Sequence, residues 1–181
     1  MGRPKALIPI ENTTLLERTV GIARGISDDI LLIGRPAFTL PQSLSSLGVV
    51  PDRHADTGPI GGLLTLLVQR PGPACILLAC DMPYVSEELL RRLSDAEGEF
   101  DAAVCRTRDP AAESQGRWHP CCGLYRASCL PIIESAIAAR RYEMNALLAE
   151  LRVLPIELTG GEVRAVENWN KPSDIGSPPS E

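Results

Sequence analysis

The chain has 181 residues, 44% of them hydrophobic, and a formal net charge of −5, which is typical of one soluble globular domain. The negative charge, without any basic stripe, argues against a nucleic-acid-binding surface. No apolar run approaches the roughly 20 residues that cross a membrane, and no signal-type segment follows the first residues. We therefore expect a cytoplasmic protein that contacts neither membrane nor nucleic acid.

The first part of the chain predicts short strands alternating with helices. We predict a short apolar segment over 5–10, a helix over 15–23, strands over 28–33 and 47–50, and a helix over 60–68. Thr13 or Thr14 is placed to cap the first helix, and Gly25 ends it. A polar loop over 51–59 precedes the second helix.

Residues 75–79 are five apolar residues in succession, which predicts a strand covered on both faces. This strand leads to Asp81, and Ser86 is a good N-cap for a helix that continues to Leu93. Open α/β sheets carry their chemistry at the carboxyl ends of strands. Asp81 is therefore the first candidate for a functional residue. The alternative is a carboxylate that only shapes the turn before Pro83.

The second part continues the alternation. We predict strands over 100–105, 119–125, 153–158 and 163–166, helices over 128–139 and 142–151, and a loop over 168–175 that enters a final helix. The pattern favours a three-layer α/β/α sandwich with a mostly parallel sheet. We expect one domain over 1–175 and a disordered tail over 176–181. The six cysteines form no C-x-x-C pair, so we predict reduced, buried thiols.

Five motifs, in this order, carry a family resemblance. They are Met1-Gly2-Arg3-Pro4-Lys5, residues 52–62 with Ile60 where Leu is usual, Ala79-Cys80-Asp81-Met82-Pro83, Trp118-His119-Pro120, and residues 168–174. In these motifs the chain resembles the molybdenum cofactor guanylyltransferases and related nucleotidyltransferases. The resemblance spans nearly the whole chain and implies a Rossmann-like nucleotidyltransferase fold.

The sequence departs from the family at its start. It begins inside the first motif, so the family's first strand and most of its glycine-rich loop are absent. In the family that strand is central in the sheet. We therefore expect a chain that is short at its start, and favour a mis-set initiator Met over gene erosion. Loss of a central strand is expected to expose the edges of both neighbouring strands and an apolar face. In the last motif, Lys171 and Ser173 stand where Thr and Glu are common.

The resemblance implies transfer of GMP from GTP to the phosphate of molybdopterin, with release of pyrophosphate and with Mg²⁺ as cofactor. Positioning and charge neutralisation dominate such chemistry. The implied residues are Asp81 and Lys5 for catalysis, Asp81 for Mg²⁺, Gly2, Lys5, Asp52 and Asp81 for the nucleotide, and His119, Asn168 and Asn170 for the acceptor. Transient contact with other molybdenum cofactor biosynthesis proteins is also implied.

Two other functions stay open from the sequence. One is a cytidylyltransferase acting on molybdopterin or another phosphorylated acceptor. The other is a non-catalytic remnant that binds nucleotide weakly or binds a protein partner. A dinucleotide-dependent dehydrogenase is disfavoured because no G-x-G-x-x-G follows a predicted strand.

Each candidate residue also has a plain structural alternative. Lys5 and Asp52 have the alternatives of a surface lysine and a turn carboxylate, and His119 that of a loop residue. The two asparagines have the alternative of helix caps. The pair Arg140-Arg141 either faces the anionic acceptor or only ends a helix favourably.

Overall fold

The computed structural model describes residues 4–34, 36, 38–108 and 116–169. The strands are β1 (Pro9–Ile10), β2 (Thr13–Thr14), β3 (Leu31–Ile33), β4 (Gly48–Val50), β5 (Ala74–Leu78), β6 (Ala102–Thr107), β7 (Arg117–Arg126) and β8 (Val153–Leu158). The helices are α1 (Leu15–Arg24), α2 (Pro59–Gln69), α3 (Glu87–Ser94), α4 (Leu130–Ala138) and α5 (Met144–Ala149). The α/β class predicted from the sequence is confirmed.

Local sequence signals explain where α1 and α3 begin. Thr14 Oγ1 accepts a hydrogen bond from the Glu17 N–H at 3.3 Å, and Glu17 Oε2 accepts one from the Thr14 N–H at 3.1 Å. This reciprocal pair is a capping box. Ser86 Oγ accepts from the Leu89 N–H at 3.2 Å, so the predicted N-cap of α3 is also confirmed.

The larger sheet has the strand order β5-β7-β6-β8 and is mixed. Strand β7 runs antiparallel to both β5 and β6, and β6 runs parallel to β8. Strands β5, β6 and β8 therefore share one direction, but two of the three strand pairings in this sheet are antiparallel, so the sheet is mixed where a mostly parallel one was predicted. The reversed strand is β7, which lies between β5 and β6.

Helices cover both faces of this sheet, which gives the predicted three layers. Because strand side chains alternate between faces, Ala102 and Val104 of β6 pack in one core with α2, α4 and α5. Ala103 and Cys105 pack on the other face with α3. Residues 102–105 have no exposed surface. Strand β6 is therefore the most buried of the described strands. The prediction that residues 75–79 are covered on both faces holds, because Cys75 and Leu77 pack against one core and Ile76 and Leu78 against the other.

Strands β3 and β4 form a separate parallel pair. Within the described residues, β3 pairs only with β4 and β5 only with β7. A cavity of about 1050 Å³, which we call the interstrand slot, is lined by every residue of β3 and of β5. All five residues of β5 are consequently only half-buried. The edges of β3 and β5 that face the slot therefore have no strand partner among the described residues.

The strand predicted over 163–166 is wrong. These residues end a 3₁₀ helix, Gly160–Val166. Gly160 has a φ of 55°, a value that glycine adopts readily. The Thr159 N–H donates to Glu162 Oε2 at 3.2 Å, so a local cap at the helix start outweighs the strand preference of valine.

Two predictions lie outside the described residues: the helix after residue 169 and the disordered tail over 176–181. In the part of the chain that is described, no helix is both long and apolar enough to span a membrane.

Candidate nucleotide-binding site at the carboxyl end of the slot

Three of the predicted site residues line the interstrand slot: Lys5, Asp52 and Asp81. They come from distant parts of the sequence and meet where β4 and β5 end. Asp52 lies two residues after β4, and Asp81 three residues after β5. The expectation that polar residues gather at the carboxyl ends of strands is met here.

Asp81 is held in place through its backbone. Its carbonyl oxygen accepts a hydrogen bond from the Trp169 N–H at 2.9 Å. Its side-chain oxygen Oδ1 is buried and has no hydrogen-bond partner among the described residues. A buried carboxylate oxygen without a partner is costly, so this atom requires a cation or a donor that comes from outside the described chain.

Asp52 lies beside the first turn of α2. A Cβ built on Gly62 would lie 3.6 Å from Asp52 Oδ1. Gly58 precedes the helix with a φ of 67°, and Pro59 follows at the first helical position, where its missing N–H costs nothing. A Cβ on Gly61 would lie 2.0 Å from Thr57 Oγ1. The motif over 52–62 thus has a conformational reason for Gly58 and a packing reason for Gly61.

Lys5 lies in a short 3₁₀ helix, Lys5–Leu7, and is exposed at the rim of the slot. Its charge acts on Cys80, the residue before Asp81. Burial raises the pKa of the Cys80 thiol, Asp81 raises it further, and Lys5 lowers it. The ammonium group therefore lies at the same end of the slot as Asp81.

His119 lies on β7 at the same edge of the sheet, but it is not among the residues that line the slot. The register between β6 and β7 shifts between Val104 and Cys105, so Cys105 pairs with His119. The irregularity contains Pro120, which has no N–H for the ladder. His119 Nε2 lies 3.1 Å from Thr107 Oγ1. Burial, assisted by Arg117, lowers the pKa of His119 to about 4.

Asn168 is exposed and directly precedes Trp169, whose N–H contacts Asp81. The chain therefore returns to the site at this point. Gly2 and Asn170 lie outside the described residues. Arg141 forms an ion pair with Glu150, which favours the structural alternative for the Arg140-Arg141 pair.

An aromatic cluster beside Asp81 escaped the sequence analysis. The Tyr84 and Trp169 rings meet edge to face, with centroids 6.0 Å apart. The Arg164 guanidinium lies 3.9 Å from the Tyr84 ring centroid. Aromatic residues make up only 4% of the chain, so two of them beside the predicted motifs were a usable signal.

Arg18 reaches the same turn from α1, and its Nε donates to the Pro83 carbonyl at 2.6 Å. The turn that carries Asp81 is therefore held from both sides, by α1 and by residue 169.

The carboxylates at this edge suit a Mg²⁺ ion that is coordinated jointly by the protein and by substrate phosphates. In the described ranges, no group of three or more His, Cys, Asp or Glu side chains is arranged to hold a metal ion. Mg²⁺ commonly takes only one or two carboxylates and completes its shell with water and substrate phosphates. The unpartnered Oδ1 of Asp81 fits this mode of binding.

Comparisons with known proteins agree with the fold. The model of the "MobA-like NTP transferase domain" family matches residues 1–154. A protein of Flavobacterium johnsoniae named "Probable molybdenum cofactor guanylyltransferase" is 31% identical over 161 residues, which cover 87% of this chain and 79% of that protein.

Solved structures share the fold. One is "Molybdopterin-guanine dinucleotide biosynthesis protein A" from Archaeoglobus fulgidus, with a TM-score of 0.72, 21% identity, and coverage of 96% of this chain and 87% of that one. Another is 2-C-methyl-D-erythritol 4-phosphate cytidylyltransferase from Thermus thermophilus, with a TM-score of 0.67, 20% identity, and coverage of 94% and 90%. The family model covers most of the chain, and the chain therefore belongs to the MobA-like NTP transferase domain family of nucleotidyltransferases.

Proposed function

We propose that this nucleotidyltransferase transfers GMP from GTP to the terminal phosphate of molybdopterin and releases pyrophosphate. The observation that carries the proposal is the buried, unpartnered Oδ1 of Asp81 at the carboxyl end of the slot. The name of the Flavobacterium relative supports the choice of substrates. We propose the cytoplasm as the place of the reaction, as expected from the sequence.

In the proposed reaction an acceptor phosphate oxygen attacks the α-phosphorus of GTP. The new P–O bond forms as the bond to pyrophosphate breaks, so no redox partner is needed. Lys5, at the rim of the slot, places a positive point charge on the triphosphate and on the leaving pyrophosphate. Asp52, beside the first turn of α2, contacts the nucleoside part of GTP.

Asp81 is the proposed ligand of Mg²⁺, which would neutralise phosphate charge when bound. The hydrogen bond from the Trp169 N–H holds the Asp81 backbone, so the position from which the carboxylate extends is set before substrates arrive. Such preorganisation is the main contribution that a protein makes to phosphoryl transfer.

His119 and Asn168 are proposed to contact the acceptor. Because the pKa of His119 lies at about 4, its imidazole is neutral near pH 7. It would therefore act on the acceptor by hydrogen bonding and not by ion pairing. Gly2 and Asn170 keep their predicted roles toward nucleotide and acceptor.

Asp81→Asn tests the proposal directly. A neutral amide is a poor Mg²⁺ ligand, so we expect pyrophosphate release from GTP in the presence of molybdopterin to fall at least about 100-fold. Asp95→Asn is the matched control, because Asp95 is exposed at the end of α3 and does not line the slot. Its turnover should equal that of the unaltered chain. Unchanged turnover of the Asp81 variant at saturating Mg²⁺, or no GTP-dependent release by the unaltered chain, would contradict the proposal.

A further inference from the structure

The turn that joins β5 to α3 carries Asp81 and is held in place by contacts from other segments. It covers residues 79–86, and the one backbone hydrogen bond described inside it runs from the Val85 N–H to the Met82 carbonyl at 3.4 Å. This distance is long for an N–H···O hydrogen bond. Pro83 has no N–H to contribute. A turn with so little hydrogen bonding of its own takes its conformation from the residues packed around it.

Apolar packing brings α1 against this turn. Met82 and Val85 are buried in one core with α3, and Ile22 and Ala23 of α1 pack against the same core. Side chains one helical turn apart lie on the same face of a helix, so Arg18 lies on the face of α1 that carries Ile22. Apolar burial fixes where the turn lies, but it does not fix the direction of its carbonyl groups.

Hydrogen bonds from two distant segments hold two carbonyls of the turn. The Trp169 N–H donates to the Asp81 carbonyl at 2.9 Å, and Arg18 Nε donates to the Pro83 carbonyl at 2.6 Å. Pro83 is buried, and buried backbone carbonyls almost always have a partner. Among the described residues, Arg18 is the only donor to the Pro83 carbonyl. Arg18 therefore restrains the backbone on the side of Asp81 that leads to α3.

No other polar contact explains the place of Arg18. Within the described part of the chain, the hydrogen bond to Pro83 is the only polar contact of its side chain, and no carboxylate pairs with its charge. Arg18 does not line the interstrand slot. Its effect on the site is therefore exerted through the turn, on the buried and unpartnered Oδ1 of Asp81. A misplacement of about 1 Å in a functional group can cost roughly 100-fold in rate.

From these observations we propose that Arg18 is a positioning residue for Asp81. Its Nε–H holds the Pro83 carbonyl and thereby sets the place from which the Asp81 carboxylate meets a divalent cation. The hydrogen bond carries this role, and the positive charge of the guanidinium does not. The inference rests on the proposed function, in which Asp81 is the ligand of Mg²⁺, and it adds a residue that contacts neither the cation nor a substrate.

Two neutral substitutions separate the hydrogen bond from the charge. In Arg18→Gln the amide nitrogen stands the same number of bonds from Cα as Arg18 Nε, so the donor to Pro83 is retained. In Arg18→Met a methyl group takes that position, and the donor is lost. Arg18→Lys is a milder variant that keeps the charge but places its amine one bond farther out. Arg24→Met is the matched control, because Arg24 is exposed in the last turn of the same helix.

The first measurement is the dissociation constant of Mn²⁺ alone, obtained from the loss of the electron paramagnetic resonance signal of the free ion. Mn²⁺ prefers the same oxygen ligands as Mg²⁺. Asp81→Asn defines the part of this binding that depends on Asp81. The second measurement is the melting temperature without metal, and Mn²⁺ binding is measured well below the melting temperature of every variant.

We expect Arg18→Met to raise the Asp81-dependent dissociation constant at least about fivefold, because groups that orient a metal ligand typically contribute about 10–100-fold to metal affinity. Arg18→Gln and Arg24→Met should stay within about twofold of the unaltered chain, and Arg18→Lys should lie between the Gln and Met variants. A lower melting temperature of Arg18→Met with an unchanged dissociation constant would show a purely structural role and overturn the proposal.

The Gln and Lys variants decide the matter even where Arg18→Met does not fold. The proposal requires tighter Mn²⁺ binding by Arg18→Gln than by Arg18→Lys, and equal binding or the reverse order would overturn it. Equal Mn²⁺ binding by Asp81→Asn and the unaltered chain would contradict the Mg²⁺ ligand of the proposed function, and this inference with it. Asp81-dependent binding that Arg18→Met leaves unchanged would overturn this inference alone.

Discussion

At the residue scale, His119 illustrates how burial sets the chemistry of the site. The ring is half-buried, and its pKa falls to about 4, first through desolvation and second through the charge of Arg117. An unperturbed histidine titrates near 6.5. Between these two values the unfolded chain holds more protons than the folded one, so stability falls as the pH drops from about 6.5 to about 4.

We therefore predict a pH-dependent stability difference for His119→Gln. Glutamine retains a donor and an acceptor but does not titrate in this range. The free energy of unfolding of the unaltered chain should decrease more than that of the variant between pH 7 and pH 4.5, as measured by urea denaturation. Parallel losses of stability in both proteins would show that His119 is not held neutral by the fold.

At the residue scale, the sequence predicted where two carboxylates lie relative to strand ends. Asp81 follows β5 and Asp52 follows β4, and both line the slot with Lys5; their roles toward nucleotide and metal stay predictions. The cluster of Tyr84, Trp169 and Arg164 was missed, because Tyr84 is far in sequence from the other two and only the return of the chain to Asp81 brings them together.

At the element scale, one buried carboxylate ties the start of β6 to β8 and α4. Asp101 is 8% exposed and accepts hydrogen bonds from the Arg152 backbone N–H at 3.0 Å and from Arg152 Nε at 3.1 Å. Ser128 Oγ, just before α4, donates to Asp101 Oδ1 at 2.7 Å. These donors hold the pKa of Asp101 well below its usual range.

We predict that Asp101→Asn destabilises the fold by about 2 kcal/mol at neutral pH, because hydrogen bonds to a charged group are worth about 1.5–3 kcal/mol. The lowered pKa means that this stabilisation is present above about pH 4 and is lost as the pH falls further. Urea denaturation at several pH values should show the difference between the two proteins shrinking below about pH 4.

Glu99→Gln is the control for the Asp101 prediction. Glu99 faces the same guanidinium, but at 3.9 Å and with a side chain that is 97% exposed. Exposed ion pairs contribute little, so this variant should remain within about 0.5 kcal/mol of the unaltered chain. A loss as large as that of Asp101→Asn would indicate that Arg152 acts through general charge and not through buried hydrogen bonds.

Helix starts with local capping signals were predictable from the sequence. The burial of a strand was not, because it depends on which distant segments pack beside it. The capping box of Thr14 and Glu17 and the N-cap Ser86 fix helix starts within a few residues of sequence. Strand β5 is less buried than β6 because its residues line the interstrand slot. The antiparallel insertion of β7 between β5 and β6 leaves no local trace in the sequence.

At the scale of the whole molecule, the site is assembled from both ends of the described chain. Lys5 comes from its start, Asp52 and Asp81 from strand ends in the middle, and Trp169 from its end. A ligand that contacts all of these segments binds only the folded chain, in which they lie together. Its binding therefore stabilises the native state against unfolding.

The proposed base preference is therefore measurable as thermal protection. At a ligand concentration ten times its dissociation constant, binding stabilises the native state by about 1.4 kcal/mol, which raises the melting temperature of a chain of this size by about 3–6 °C. We predict that GTP with Mg²⁺ gives a shift in this range and that CTP at the same concentration gives a smaller one. The shift should decrease for Asp81→Asn and persist for Asp95→Asn, because only Asp81 lines the slot. Equal protection by both nucleotides, or greater protection by CTP, would contradict guanylyl transfer and favour a cytidylyltransferase or an enzyme that accepts both nucleotides.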